Sequence, residues 1–339
     1  MAAEKISRRE FLKRAILGAT VLAAPPSLLL SYVKSVFAEP RKSPFNSSIV
    51  AVTHSRSVDS GGVIEPEIIR VMVSEGIKTF TGKKSVRDAW LSLIPELKSS
   101  DVIGIKLNCI NSRFYSHREV VEALIWGLRE TGVAENNIIV WDRSDWEIKR
   151  CGYAINTGKT GIRYSGTTQY DESLAVRTSS RTENGTRLTT ILTRQCDYLI
   201  NVPVLKDHGT AGVTLSMKNH YGSISNPAWH HGNYCDPYIA YINAAAQIRE
   251  KTKLIVLDAL LGIHSGGPHG SPQWVNRQLL IGTDTVAVDF EGMMMIEQKR
   301  LERSRPSILR MSRHIQTAAE LELGTNNPAQ INLHNLRLG

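Results

Sequence analysis

Residues 101–142 carry the pattern that most constrains the fold. Residues 101–108 are an apolar run, Val102-Ile103-Gly104-Ile105 leading into Lys106. Behind Ser116-His117-Arg118-Glu119, which reads as a capping box, Val120, Val121, Leu124, Ile125 and Leu128 recur at helical spacing, and Gly132 stops the helix. Residues 137–142 form a second apolar run. Strand, helix and strand within about 40 residues make a βαβ unit, whose two strands run parallel because the helix carries the chain back to its starting edge.

The same alternation continues on both sides. Residues 48–55 are strand-like, and Pro66 opens a helix that runs through Phe80. Residues 197–202, 253–258 and 278–282 read as further strands. Pro237 opens a helix to about Lys251, Asp284 caps another to about Leu301, and residues 305–323 give the last. Residues 151–195 are rich in Thr, Ser, Gly and Arg with only short apolar patterns, and read as a small β-rich insertion. The expected fold is α/β, a three-layer arrangement with a mostly parallel sheet and helices on both faces. It spans residues 48–325, after a linker at 39–47 and before a C-terminal tail at 326–339.

Residues 1–38 read as an address. Ser7-Arg8-Arg9-Glu10-Phe11-Leu12-Lys13 looks like a twin-arginine export signal, with Arg8 and Arg9 as the pair the Tat translocase reads. An apolar stretch from Ala15 to Leu30 follows, broken by Pro25 and Pro26, and Val36-Phe37-Ala38 offers the small residues of a cleavage site. The expected location is periplasmic or extracytoplasmic, with no transmembrane span in the mature chain. Of the formal net charge of +9, +4 lies within residues 1–38. The remainder is too weak, and too little interleaved with aromatics, for a nucleic-acid binder.

Four cysteines, Cys109, Cys151, Cys196 and Cys235, are too few for a disulfide scaffold and contain no C-x-x-C. No ferredoxin-type iron–sulfur cluster is expected. In an oxidising compartment three disulfide pairings are open to them, beside free buried thiols.

In an open parallel sheet, ligands bind beyond the carboxyl ends of the strands. The residues leaving those ends are Lys106 and Asn108, Asp142 and Asp145, Lys206 and His208, Asp258 and His264. Six of the ten histidines, His208, His220, His230, His231, His264 and His269, fall between positions 208 and 269. Imidazole serves as a proton carrier or metal ligand near neutral pH. Of the adjacent pair His230-His231, at most one is expected to face a metal. Gly266 and Gly267, in a glycine-rich loop after the 253–258 strand, would let backbone approach an anion. G-x-G-x-x-G, a phosphate loop, G-x-S-x-G and H-E-x-x-H are all absent.

Asp197-Tyr198-Leu199-Ile200-Asn201-Val202-Pro203-Val204-Leu205-Lys206-Asp207-His208 and Gly212-Val213-Thr214-Leu215-Ser216-Met217-Lys218-Asn219-His220-Tyr221-Gly222 resemble the domain of unknown function 362 family. Ile105-Lys106-Leu107-Asn108, Gly266-Gly267-Pro268-His269-Gly270 and Asp284-Thr285-Val286-Ala287-Val288-Asp289 agree with it. Many members carry a ferredoxin-like module whose cysteines this chain lacks. His208-x-x-Ala211-Gly212-Val213-Thr214 with Lys218 is, more distantly, similar to lactate racemase and its relatives. That resemblance implies His208 as an acid/base, Lys218 as the anchor of a nickel-pincer nucleotide, and His230 or His231 as a nickel ligand. It stops at Leu215-Ser216-Met217, where those enzymes have glycines, and at Trp141-Asp142-Arg143-Ser144-Asp145, where their second histidine is missing.

Two functions follow as expectations. The first is an exported enzyme, dependent on a metal or metal-nucleotide cofactor, that performs a redox or isomerisation step on a small anionic substrate. In it His208 carries the proton, Lys106, Lys206 and Lys218 hold anionic groups and with Asn108, Gly266 and Gly267 bind the cofactor, and His230 or His231 binds metal. The second is a periplasmic ligand- or metal-binding assembly protein that uses the same cleft without turnover, with a periplasmic redox enzyme as partner.

Overall fold

The computed structural model describes residues 46–176 and 186–339. The twin-arginine segment with Arg8 and Arg9, the cleavage site and most of the 39–47 linker lie outside them. Twelve strands are found among the described residues: β1 Ser47–Thr53, β2 Ile103–Lys106, β3 Ile138–Asp142, β4 Arg163–Gly166, β5 Tyr170–Val176, β6 Thr186–Thr189, β7 Tyr198–Asn201, β8 Val204–His208, β9 Gly212–Val213, β10 Thr252–Ile263, β11 Trp274–Gly282 and β12 Ile331–Arg337. The helices are α1 Pro66–Thr81, α2 Val86–Leu93, α3 Arg118–Arg129, α4 Asp145–Arg150, α5 Leu215–Asn219, α6 Tyr238–Asn243, α7 Ala246–Arg249, α8 Thr285–Glu302 and α9 Arg313–Glu320.

The main sheet has ten strands, eight in the order β12-β1-β11-β10-β7-β2-β3-β4, with β8 pairing β10 and β9 pairing β8. β10, β7, β2, β3 and β4 are parallel neighbours, and β11 runs antiparallel to both β10 and β1. Alternation along the strands sends Ile103, Ile105, Val140 and Ile200 to one face, against Ile69, Met72, Val121 and Leu124 of α1 and α3. Ile139, Trp141, Leu199 and Leu257 line the other, against Leu215, Val286, Phe290 and Ile315 of α5, α8 and α9. Two apolar cores on the two faces of one mostly parallel sheet make the three-layer α/β fold. No helix among the described residues is long and apolar enough to cross a membrane.

Local chemistry explains most ends. Pro66 sits in the first turn of α1, and Gly82 closes it in the left-handed region, φ 68°. Asp284 caps α8 by accepting from the Val286 and Ala287 amides. Several expectations change. Ser116 does not cap α3; His117 stands at that position. The Ser116 hydroxyl instead accepts from Asn108 N and donates to the Val202 carbonyl, serving buried backbone at two strand ends. The helix expected from Pro237 to Lys251 is two short ones, α6 and α7, and that expected over 305–323 shortens to α9. Within 151–195, β4 joins the main sheet beside β3, and only β5 and β6 form a separate two-stranded sheet. Residues 326–339 are no tail: β12 lies parallel to β1, from Ser47 opposite Ile331 to Thr53 opposite Arg337.

Candidate active site

Of the expected strand-end residues, Lys106, Asn108, Asp142, Lys206 and His208 gather on the α5–α8 side of the sheet; Asp145 instead accepts from Gly166 N, Asp258 faces His117 and His264 lies by Trp274. Lys106, at the end of β2, and Lys206, in the middle of β8, are both fully buried. Lys106 Nζ pairs with Asp142 Oδ1 at 2.5 Å and donates to the Leu107 carbonyl at 2.7 Å. Asp142 also accepts from the backbone amides of Cys109 and Arg143. Gly222 lies over this pair: a Cβ there would stand 2.6 Å from Asp142 Oδ1 and 2.8 Å from Lys106 Nζ, so any larger residue would have to displace the ion pair.

Among the described residues no carboxylate pairs with Lys206. Its Nζ donates to Asn108 Oδ1 at 2.6 Å. A row of amides continues from there, Asn108 Nδ2 to Asn219 Oδ1 at 2.9 Å and Asn219 Nδ2 to Asn201 Oδ1 at 2.7 Å. Asn201 and His220 line a cavity of about 50 Å³ that also touches Arg249 and Thr283. Burial pushes the Lys206 ammonium down to about 7, against the opposing pull of Asp142.

Nearer the surface are Lys218, 5 % exposed, and His208, 8 % exposed. α5 brings Lys218 here. Leu215 starts that helix at φ 47°, and the fully buried Asp289 of α8 holds the turn by accepting from Ser216 N at 2.6 Å and Met217 N at 2.9 Å. Lys218 Nζ lies 3.6 Å from the centroid of the Tyr221 ring and 3.3 Å from His231 Nε2. Burial pushes this ammonium down to about 8.

The hydrogen bonds assign opposite tautomers to two histidines whose ring centroids are 5.8 Å apart. His208 Nδ1 accepts from the amides of Thr210 and Ala211, both at 3.1 Å, so its proton sits on Nε2. His231 Nδ1 donates to the Pro227 carbonyl at 3.0 Å, which leaves a lone pair on Nε2 for Lys218. Burial, then the Lys218 charge, drives His208 down to about 2. In this tautomer the neutral ring presents an N–H donor at Nε2.

The other expected residues lie elsewhere. His230 Nε2 is bonded to Thr186 Oγ1 at 2.6 Å. Gly267 packs on Asp207, where a Cβ would come within 2.0 Å of the Asp207 carbonyl, and its amide donates to Asp207 Oδ1 at 2.7 Å. Alternation turns Asp207 away from Lys206 and His208. The Gly266-Gly267 loop already holds a carboxylate of its own chain, so it is no cradle for an external phosphate. His264 stands by Trp274. The sequence gives no sign of His314: in the first turn of α9 it is fully buried with neither ring nitrogen partnered among the described residues, and the Lys218 charge reaches it. Only tertiary packing marks it out.

All four cysteines are free and buried. Among the described residues, no group of three or more His, Cys, Asp or Glu side chains is placed to hold a metal ion.

The family model described as Domain of unknown function (DUF362) matches residues 103–293, which include every residue of this site except His314. The chain belongs to the DUF362 family. No curated protein matches it. A crystal structure of a protein from Thermotoga maritima is similar at 16 % identity and a TM-score of 0.38, covering 71 % of this chain and 59 % of that one. The chain thus spans less than two thirds of that relative. For this DUF362 protein the site itself carries the functional argument.

Proposed function

We propose that this DUF362 protein is an exported enzyme that binds a small anionic, oxygenated substrate and moves protons on it. The observation that carries the reading is unbalanced buried charge: among the described residues neither Lys206 nor Lys218 is paired with a carboxylate. Two ammonium groups without counter-ions in a low-dielectric setting are costly unless neutralised by deprotonation or by an arriving anion. His208 Nε2–H and Lys218, at the accessible end, would touch the anion, and Lys206 behind them would add its field. The facing tautomers favour turnover over storage, since His208 can only donate at Nε2 while His231 can accept there.

A metal-nucleotide cofactor does not fit these residues. His231 alone has the tautomer of a metal ligand, His208 spends Nδ1 on backbone amides, His230 is tied to Thr186, and the glycine loop is closed by Asp207. No step is assigned to one. Export rests on the Ser7–Lys13 motif, and a precursor retained in the cytoplasm by Arg8→Lys with Arg9→Lys would support it.

Titration calorimetry of the purified chain with phosphate and small hydroxy- and oxo-carboxylates tests the site. A charge-assisted hydrogen bond is worth about 1.5–3 kcal/mol, so Lys218→Met should weaken binding roughly ten- to hundredfold. Binding at pH 8 should take up protons, because an anion raises ammonium groups that burial holds near about 7 and about 8. Failure of every such anion to bind, or equal binding by Lys218→Met, would overturn the reading.

A further inference from the structure

Lys218 carries more than charge. Its Nζ is within hydrogen-bond distance, 3.3 Å, of the His231 Nε2 lone pair, and that lone pair exists because the Pro227 carbonyl holds the proton on Nδ1. Across from His231, the backbone at Thr210 and Ala211 fixes the His208 proton on Nε2. Thr214 Oγ1 and both ring nitrogens of His314 are buried with no partner among the described residues, which is surplus hydrogen-bonding capacity on the α5 and α9 segments around the lysine. An amine, a base, a group that orients the base, and a preorganised N–H donor are the parts of nucleophilic catalysis at a carbonyl.

We propose that Lys218 is an amine nucleophile that forms a Schiff base with a small 2-oxo carboxylate. The inference rests on the anion-binding reading of the same site and names its substrate class. Neutral Lys218 Nζ attacks the carbonyl carbon, and the π pair moves onto the oxygen, which His208 Nε2–H hydrogen-bonds without giving up its proton. The two amine protons pass in turn through His231 Nε2 to that oxygen. It leaves as water while the nitrogen lone pair closes the C=N bond. Amine plus carbonyl gives imine plus water, with no oxidant, reductant or metal. The substrate carboxylate lies in the field of Lys206, which has no counter-ion of its own. Desolvation supports the assignment: an ammonium held at about 8 yields far more free amine near neutrality than an exposed lysine does.

The test uses the full mature chain with pyruvate or glyoxylate as probe, borohydride reduction, and mass spectrometry of the intact protein and its peptides. One reduced adduct per chain on the peptide bearing Lys218 is expected, with a trapping rate that rises through about pH 8. His231→Gln should trap about a hundredfold more slowly. No adduct, or adducts scattered over exposed lysines with Lys218 unmodified, would overturn the proposal. Because peptide mapping reads wild type directly, an unfolded Lys218 variant would not obscure the answer. Phosphate binding without any adduct would sink the Schiff base alone; absence of both would sink the anion site as well.

Discussion

Replacing Asp142 by Asn puts a number on the sealed ion pair beneath Gly222. The carboxylate accepts from Lys106 Nζ and from the Cys109 and Arg143 amides, and its charge is the foremost that opposes desolvation of Lys206. Asparagine keeps the shape but leaves the buried Lys106 ammonium without its carboxylate, removes a favourable charge from the surroundings of Lys206, and turns one acceptor into a donor facing a donor. Breaking a buried pair by removing one partner costs about 3–5 kcal/mol, and Asp142→Asn should fall at or above the upper end. Lys106→Met should cost less, toward about 3 kcal/mol, because the remaining carboxylate keeps two backbone donors. The double variant should cost less than the sum, since neither partner is then left as an unpaired charge. Guanidinium titrations followed by circular dichroism give all three values. A loss below about 1 kcal/mol for Asp142→Asn, the value of an exposed pair, or a larger loss for Lys106→Met, would refute the reasoning.

Three further outcomes are expected. His208→Asn should remain folded, because its amide oxygen can accept from the Thr210 and Ala211 amides, but should bind anions more weakly for want of the Nε2–H; unchanged calorimetry would remove His208 from the site. Burial opposes a charge on His117, but the Asp258 carboxylate 2.7 Å away outweighs it, so its folded pKa stands above the ordinary value of 6.5. The stabilisation is then complete below pH 6.5 and is lost as pH rises through the folded value, and His117→Gln should flatten that part of a stability–pH curve; an unaltered slope counts against it. Cys151 Sγ lies 3.6 Å from the Cys109 carbonyl, and oxidising the folded chain with oxidised glutathione should link these two thiols and spare Cys196 and Cys235; four thiols still titrating afterwards would exclude it.

What the sequence made legible was whatever is local. The β2–α3–β3 unit stands because its hydrophobic periods lie within one stretch of chain, and Lys106, Asn108 and Lys206 gather in one buried cluster because their parallel strands run toward one side. The tautomers of His208 and His231 were not legible. Each depends on backbone groups whose direction is set by a turn, not by residue type. His314 sits one position inside a short helix, and nothing in its neighbours announces that α9 buries it against the site. Asn201 and Asn219 are ordinary polar residues until the sheet and α5 bring their amides together. The glycine loop misled for the same reason: its close approach is to Asp207 of the same chain.

The pairing of β1 sets an order on the making of this protein. Its register neighbours are Gly282 to Gln278 on one side and Ile331 to Arg337 on the other. As a ribosome releases the chain, Ile49, Val50 and Val52 emerge early, while both strands that cover them are still unwritten. At about 5–20 residues per second, that apolar strand waits roughly 10–45 s for its first partner and longer for its second. Through that interval it is an open edge available to any other strand. The strand that covers this edge of β1 is thus made long after β1 itself, and a chain cut before Ile331 would present β1 as its outer sheet edge.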